Sequence, residues 1–173
     1  MKPDASAYYD GIAEGYDTLH GEEQRKKQEL IKQHITITPE TRILDIGCGS
    51  GISTSFDCIC IGIDPSIKLI HIAQKRDRDK RHTYYVGRAE DLTQLREQLG
   101  FNDHAFDYAI AVTSLHHFAD PETLVSIKQS ARQFVFSVLK KIPQKEKIIN
   151  TVKMHFTITK HIEEEKDIIL FCR

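Results

Sequence analysis

Short apolar runs rich in β-branched residues alternate with longer polar segments over most of the chain. This alternation is typical of an α/β domain in which helices connect the strands of a mostly parallel sheet. Seven of the runs have the length and composition of strands. The predicted strands are 42–46, 58–64, 83–86, 106–112, 133–139, 156–160 and 167–172.

The polar segments between these strands carry helical signals, and Pro, Ser or an acidic residue opens several of them. The predicted helices are 66–80, 89–99, 121–132 and 144–154. Ahead of the first strand, the segment 21–35 has the periodicity of a charged amphipathic helix that buries Leu30, Ile31 and Ile35. Helices are therefore expected on both faces of the sheet.

Only residues 161–166 separate the last two predicted strands. A parallel connection needs about a dozen residues or more, so these strands are expected to form an antiparallel hairpin. We therefore predict an α/β fold with a doubly wound sheet of seven strands, mostly parallel and completed by a C-terminal antiparallel hairpin.

Composition narrows the class of protein. The 173 residues, 40% of them hydrophobic, suffice for one substantial core. We expect a single domain over 1–173, with an N-terminal segment at 1–40 and the core at 41–173. The 24 Lys and Arg balance 25 Asp and Glu, so no global charge draws the chain to nucleic acid or to an anionic membrane.

No run approaches the roughly 20 apolar residues that a membrane-spanning helix needs, and the start of the chain shows no apolar segment behind its first charges. Cys48, Cys58, Cys60 and Cys172 are scattered and include no Cys-x-x-Cys pair. Such a distribution is typical of small buried residues in a reducing compartment and gives no zinc signature. We expect a soluble, cytoplasmic protein without a metal site.

The strand at 42–46 runs directly into the glycine-rich segment 47–51. Glycine permits the positive φ of a tight turn and lets a ligand approach the backbone. Gly51 follows Gly49 by two residues, whereas a dinucleotide-binding loop places its third glycine three after the second. Asp45, two residues before Gly47, suits a cationic ligand better than a pyrophosphate. A tight turn without a ligand is the alternative interpretation.

A second carboxylate, Asp64, ends the predicted strand 58–64. In doubly wound sheets, ligands bind outside the carboxyl ends of the strands, and a carboxylate there can accept hydrogen bonds from both ribose hydroxyls. Asp64 and Pro65 could instead cap the helix that follows. With the glycine loop nearby, ligand binding is the favoured interpretation.

The spacing Asp-x-Gly-x-Gly-x-Gly at a strand end closely resembles the cofactor loop of the class I S-adenosylmethionine-dependent methyltransferases. The resemblance implies a Rossmann-like fold and S-adenosylmethionine as the cofactor. It places the ribose at Asp64 and Pro65. It also implies that the methionine portion is held by Asp45, Gly47, Cys48, Gly49 and Gly51.

The segment 87–90, Gly-Arg-Ala-Glu, resembles the adenine-side motif of the same family, which is usually Gly-Asp-Ala-Glu. Ala89 and Glu90 are therefore expected at the adenine, while Arg88 replaces the family's acidic residue. Favourable charge in the first turn of a helix explains Glu90 and Asp91 equally well.

The segment 9–17 resembles the aromatic-Asp-x-x-Ala-x-x-Tyr-Asp stretch that closes over the methionine end of the cofactor in one subgroup of the family. Tyr9 and Tyr16 offer hydroxyls to the cofactor carboxylate and rings that exclude water. Without the other motifs, this segment would be interpreted as a polar N-terminal loop.

The fourth predicted strand leads through Thr113 to the sequence His-His-Phe at 116–118. This ending resembles methyltransferases of the ubiquinone-biosynthesis type and the enzymes that methyl-esterify carboxymethyl groups on wobble uridines of transfer RNA. Thr113 is expected beside the reacting centre, and His116 or His117 is expected to orient substrate or move a proton. Adjacent histidines on an extended backbone point in opposite directions, so no shared metal is expected. A structural role for each histidine is the alternative.

The acceptor is the least readable feature of the sequence. The chain has no Asn- or Asp-Pro-Pro-aromatic segment, which in the family marks methylation of planar amino nitrogens. No insertion after the fourth strand is large enough for a cap, which favours a large acceptor such as RNA, or a protein partner that completes the site. Basic residues within 75–81 could contact RNA phosphates or form a solvated helix face.

Other functions stay open. The chain could methylate a small molecule, or it could be a noncatalytic S-adenosylmethionine-binding subunit of a complex. A nicotinamide-dependent oxidoreductase is disfavoured by the glycine spacing, by Asp45 and by the closing hairpin. One departure from the family is visible: only residues 52–57 separate the glycine loop from the second strand, so the first helix can have barely more than one turn.

Overall fold

One seven-stranded sheet organises the chain. The structure is a computed structural model that describes residues 5–78, 80–118 and 120–173. The strands are β1 (Arg42–Ile46), β2 (Ile59–Asp64), β3 (His82–Val86), β4 (Phe106–Ala111), β5 (Ala131–Leu139), β6 (Ile158–Glu163) and β7 (Asp167–Cys172). Their order across the sheet is β3-β2-β1-β4-β5-β7-β6.

Strands β1 to β5 pair in parallel, whereas β7 is antiparallel to both β5 and β6. The predicted Rossmann-like, mostly parallel sheet with a C-terminal antiparallel hairpin is therefore confirmed. Strands β2, β3, β4 and β5 have boundaries within two residues of the predicted ones, and β6 differs most from the predicted 156–160. Strand β6 begins at Ile158. Phe156 is instead the C-cap of the preceding helix, and its ring makes a tilted contact with Phe134 and an edge contact with Phe136.

Six α-helices lie in the described part of the chain: α1 (Ala5–Ile12), α2 (Tyr16–Lys32), α3 (Ile67–Arg76), α4 (Leu92–Gln98), α5 (Pro121–Ser130) and α6 (Lys145–His155). Helix α1 occupies a segment that periodicity alone did not predict as helical. Helix α2 begins earlier and ends earlier than the predicted 21–35. None of these helices is long and apolar enough to cross a membrane.

Helices cover both faces of the sheet, as predicted. On one face, α4, α5 and α6 pack over a core that includes Leu44, Phe106 and Phe136. On the other face, Ile31 of α2 packs against alternate residues of β1, β4, β5 and β7. Helix α3 forms a smaller cluster with β3 beside it.

The connection between β1 and β2 contains no helix at all. Residues 47–58, all of which the structure describes, form turns, so the expected short first helix is absent. Helix α2 packs against this connection instead. The Gln28 side chain donates a hydrogen bond to the Ser55 carbonyl, and a Cβ built on Gly21 would lie 3.2 Å from Ile52 Cδ1. A parallel crossover usually contains a helix that covers the sheet, and α2 occupies that position here.

We predict that the packing of α2 carries much of the stability of this face. Ile31→Ala should lower the free energy of unfolding by about 2–5 kcal/mol, because the Ile31 side chain is 0% exposed and its loss leaves a cavity. Leu19→Ala, on the same helix but 65% exposed, should change it by less than about 0.5 kcal/mol. Urea unfolding of both variants measures the difference, and equal midpoints would contradict the packing described.

Candidate functional site

The glycine loop forms a tight turn at the carboxyl end of β1. Gly47, Gly49 and Gly51 have φ values of 75°, 55° and 80°, a region that side chains other than glycine rarely adopt. The Gly47 amide donates to the Ile63 carbonyl at 2.8 Å. A Cβ on Gly47 would lie 2.5 Å from Ser114 Cβ. The loop is thus held between the ends of β2 and β4. Position 47 requires glycine because its φ is positive and because Ser114 occupies the space of a side chain.

Asp45 lies beneath this loop, fully buried in the second-to-last position of β1. Its Oδ2 accepts hydrogen bonds from Ser53 Oγ and Thr54 Oγ1, both at 2.7 Å. Its Oδ1 has no hydrogen-bond partner in the described part of the chain. Burial raises the pKa of Asp45 to about 6, although the two hydroxyl bonds oppose this shift. The free oxygen is therefore suited to a cationic group.

Asp64 joins the glycine loop to the helix that follows β2. Its Oδ2 accepts from the Gly49 amide at 2.9 Å, and its Oδ1 accepts from the Ser66 amide at 2.8 Å. Burial raises the pKa of Asp64 despite these two bonds. The N-cap of α3 is Ser66, whose Oγ accepts from the Leu69 amide at 3.2 Å. Asp64 is therefore not the helix cap, and half-buried Pro65 separates the two residues.

Helix α1 crosses the carboxyl edge of the sheet above the loop. The Asp10 carboxylate accepts hydrogen bonds from Ser66 Oγ at 2.5 Å and from the Lys68 amide at 3.2 Å. At the other side, Tyr9 Oη lies 3.0 Å from His117 Nε2. These contacts connect the segment after β2 with the segment after β4. The predicted closing segment thus lies at the site, and Asp10 is a contact that the sequence reasoning did not single out.

Tyr16, the first residue of α2, covers the glycine loop itself. Its hydroxyl would lie 3.1 Å from a Cβ on Gly49, and its ring makes an edge contact with the Tyr9 ring at 6.1 Å between centroids. Burial raises the pKa of Tyr16, with the charge of Asp64 contributing. Tyr16 is therefore protonated at neutral pH and can donate a hydrogen bond.

The loop is also held from its outer side by a residue of the basic stretch at 75–81. Arg76 Nε donates to the Ser50 carbonyl at 2.9 Å, and the Arg76 guanidinium pairs with Asp17. Asp17 also accepts from Ser50 Oγ at 2.5 Å. Arg76 thus stabilises the glycine loop. For this residue, a structural role is favoured over contact with RNA.

The sequence predicted that the two histidines lie on extended backbone, and this prediction is wrong. They belong to a short 3₁₀ turn, Leu115–His117, and their rings lie side by side with centroids 4.0 Å apart. Burial lowers the pKa of His116 to about 4, and the neighbouring His117 adds to this shift. His116 is therefore a neutral imidazole at physiological pH. In the described residues, no group of three or more His, Cys, Asp or Glu could hold a metal ion.

Thr113 has an unusual backbone, with a φ of 55° in a β-branched residue. Its Oγ1 accepts a hydrogen bond from Lys27 Nζ at 2.7 Å and donates to Asp167 Oδ2 at 3.2 Å. The hydroxyl is thus engaged in a buried ionic network. Thr113 follows β4 by two residues, and its backbone turns the chain toward His116. Its place beside the reacting centre stays a prediction.

The adenine-side motif lies next to the acidic end of β2. The Gly87 amide donates to the Asp64 carbonyl oxygen at 3.1 Å, and Ala89–Asp91 form a short 3₁₀ turn. Ala89 is buried, whereas Glu90 is exposed at the protein surface. The structure thus brings this motif, the glycine loop, Asp64, Tyr9, Tyr16 and His117 to one edge of the sheet.

We predict that Asp45 makes stability depend on pH. Because its pKa is raised in the folded state, the folded chain binds more protons than the unfolded chain between about pH 4 and 6. Relative to Asp45→Asn, the wild type should therefore lose roughly 2–3 kcal/mol of stability as the pH rises through this window. Chemical denaturation of both proteins between pH 4 and 7 measures this loss of stability.

The matched control for this experiment is Asp57→Asn, because the Asp57 side chain is 97% exposed. The free energy of unfolding of this variant should depend on pH in the same way as that of the wild type. A free-energy difference between wild type and Asp45→Asn that is constant with pH would contradict a raised Asp45 pKa.

Comparisons with known proteins agree with this geometry. Residues 44–127 match the family described as Methyltransferase domain. The chain is 32% identical over 115 residues to the O-methyltransferase rstn1 of Aspergillus nomiae, an alignment that covers 64% of this chain and 49% of the relative. It is 28% identical over 179 residues to an uncharacterized protein of Methanocaldococcus jannaschii, covering 92% of the chain and 66% of the relative. The chain spans about half to two thirds of the length of the curated relatives it matches.

Solved structures share the fold. A putative methyltransferase of Haloferax volcanii, in complex with the methyltransferase activator Trm112, superposes with a TM-score of 0.76 at 13% identity, covering 98% of this chain and 96% of that one. An S-adenosylmethionine-dependent methyltransferase of Aquifex aeolicus gives a TM-score of 0.67 at 12% identity, covering 84% and 88%. The matched domain covers slightly less than half of this chain, and the solved structures share the fold of the chain.

Proposed function

We propose that the chain binds S-adenosylmethionine at the carboxyl edge of β1, β2 and β4 and transfers its methyl group to an acceptor. The observation that carries this proposal is a glycine turn with three positive φ values placed between two buried carboxylates, Asp45 and Asp64. A cation and a diol are the ligand groups that such a pair of carboxylates suits.

The residues present fit the cofactor. Asp45 has a buried oxygen without a partner, which a cationic amino group nearby would stabilise. Each oxygen of Asp64 already accepts one backbone hydrogen bond and keeps a second lone pair for a ribose hydroxyl. In this proposal, Gly47, Cys48, Gly49 and Gly51 hold the methionine portion, Asp64 and Pro65 the ribose, and Ala89 and Glu90 the adenine.

The N-terminal helices exclude water from the site. Tyr16 lies over Gly49, and α1 is anchored by Asp10 on one side and by Tyr9 on the other. Tyr9 and Tyr16 remain protonated, because burial raises the pKa of both, so each can donate a hydrogen bond to a carboxylate. Excluding water strengthens every polar interaction beneath these residues.

When bound, the cofactor supplies a methyl group already activated on a cationic sulfur, so alignment is the main requirement for catalysis. Burial lowers the pKa of His116 to about 4, so its ring is neutral at physiological pH and can accept a hydrogen bond from the acceptor. His117 is held by its contact with Tyr9 and links the acceptor side to α1.

We infer that the acceptor is a macromolecule, with RNA as the first candidate, and that a protein partner assists. Two observations support this. No described element after β4 forms a cap over the acceptor side, and the Haloferax methyltransferase of nearly equal extent is found in complex with an activator. The His-His-Phe resemblance to transfer RNA enzymes agrees with an RNA acceptor. A small-molecule oxygen acceptor is the second candidate, since the Aspergillus relative is named an O-methyltransferase.

Calorimetric titration with S-adenosylhomocysteine tests the cofactor site. The wild type should show one site, and Asp64→Ala or Gly49→Val should weaken binding roughly 10- to 100-fold. Lost hydrogen bonds to a charged group cost about 1.5–3 kcal/mol, and a valine cannot adopt the φ of Gly49 without strain. Asp57→Ala is the exposed control. Unchanged affinity in folded variants, verified by thermal melting, would contradict the assignment.

The acceptor is tested with radiolabelled S-adenosylmethionine and fractionated cell extract. Label should enter RNA, and a co-purified partner should increase the rate. Label confined to small molecules would support the second candidate. Binding of the cofactor without transfer in any fraction, with or without the partner, would favour a noncatalytic subunit.

A further inference from the structure

A lysine with no solvent exposure lies at the centre of a charged network between α2 and the sheet. The Lys27 side chain is 0% exposed, and its Nζ lies 2.9 Å from Asp167 Oδ1, 2.5 Å from Glu23 Oε1 and 2.7 Å from Thr113 Oγ1. Ser137 Oγ donates to Asp167 Oδ2 at 2.7 Å. The network therefore joins α2 to the ends of β4, β5 and β7.

The contact with Thr113 is the one that bears on the site. Thr113 has a left-handed φ of 55°, which strains a β-branched residue and persists only where its surroundings fix it. The amide and the hydroxyl of Thr113 are both fixed here. The Thr113 amide donates to Ser137 Oγ at 2.6 Å, and its hydroxyl bonds to Lys27 and Asp167.

The Thr113 turn determines where the next residues lie. Directly after it, Ser114 Oγ donates to the Ile46 carbonyl at 2.7 Å, and Ser114 occupies the space beside Gly47. His116 and His117 follow in the 3₁₀ turn. A change in the Thr113 backbone would therefore move the histidines relative to the glycine loop.

Stability alone is a poor explanation for this network. Burying a lysine and a carboxylate costs desolvation energy, and apolar side chains of similar volume often stabilise such a position equally well or better. Helix α2 already has an apolar contact with the same face through Ile31. The network does what an apolar contact cannot, since it fixes the direction of two polar groups on one strained residue.

We propose that Lys27 is a positioning residue for the acceptor side of the site, acting through Thr113 on His116 and His117. This inference rests on the proposed methyl transfer. Lys27 lies on the same helix as Tyr16, which covers the glycine loop. Helix α2 thus contacts both the cofactor side and the acceptor side of the site.

Lys27→Met tests the proposal, with Lys26→Met as its matched control. Lys26 forms the same i,i+4 pair with Glu22 as Lys27 does with Glu23, but it is solvent-exposed. We expect Lys27→Met to lower kcat for label transfer by about tenfold or more, since small misplacements in a site have effects of this order. The KM for S-adenosylmethionine should stay within about twofold of the wild type, because Lys27 touches none of the cofactor-side residues. Lys26→Met should match the wild type.

Two further variants separate positioning from folding. Lys27→Met combined with Asp167→Asn removes both buried charges, so it should recover thermal stability without recovering kcat. Thr113→Val should reproduce the kcat loss, and adding Lys27→Met to it should lower kcat little further, because the two residues act through one contact. Recovery of kcat together with stability, or full additivity of the two losses, would overturn the proposal.

An acceptor-independent measurement keeps this inference distinct from the proposed function. In ¹H–¹⁵N spectra of the imidazole rings, Lys27→Met should shift the His116 and His117 signals and leave His155, at the end of α6, unchanged. Unshifted signals would overturn the positioning role. If the wild type fails to bind S-adenosylhomocysteine while Lys27→Met still shows these shifts, only the proposed function is contradicted.

Discussion

The connection between β1 and β2 constrains the part of the protein around the glycine loop. Because residues 47–58 contain only turns, no helix from this connection covers the sheet there. Helix α2 takes that position, with Ile31 in the core and Gln28 bonded to the connection. Its first residue then reaches the glycine loop, and its middle reaches the end of β4. One helix thus covers this part of the sheet and supplies the residue that lies over the glycine loop.

Two buried charges lie close to this helix and to the loop. Asp45 is stabilised by two hydroxyls and keeps one oxygen without a partner, while Lys27 is surrounded by acceptors. Burial of either charge costs energy that a packed apolar residue would not. Under the proposals above, Asp45 serves a ligand and Lys27 serves a strained turn.

The carboxyl edge is closed by contacts between segments that are distant in sequence. Asp10 bonds to residues after β2, and Tyr9 contacts His117 after β4. Helix α1 thereby joins the segment after β2 to the segment after β4, while Tyr16 of α2 contacts the glycine loop.

Local sequence determined the sheet and the loop, because strand periodicity and glycine spacing are properties of neighbouring residues. The seven strands, the C-terminal hairpin and the turn at 47–51 were all predictable for this reason. The position of Asp64 at a strand end was predictable too, but the Ser66 cap was not distinguished from it. Tertiary structure alone decided the rest. The absent first helix, the histidine turn and the Lys27–Thr113 contact depend on residues that meet only when α2 packs on the sheet, and no local pattern encodes which charged residue of a helix becomes buried.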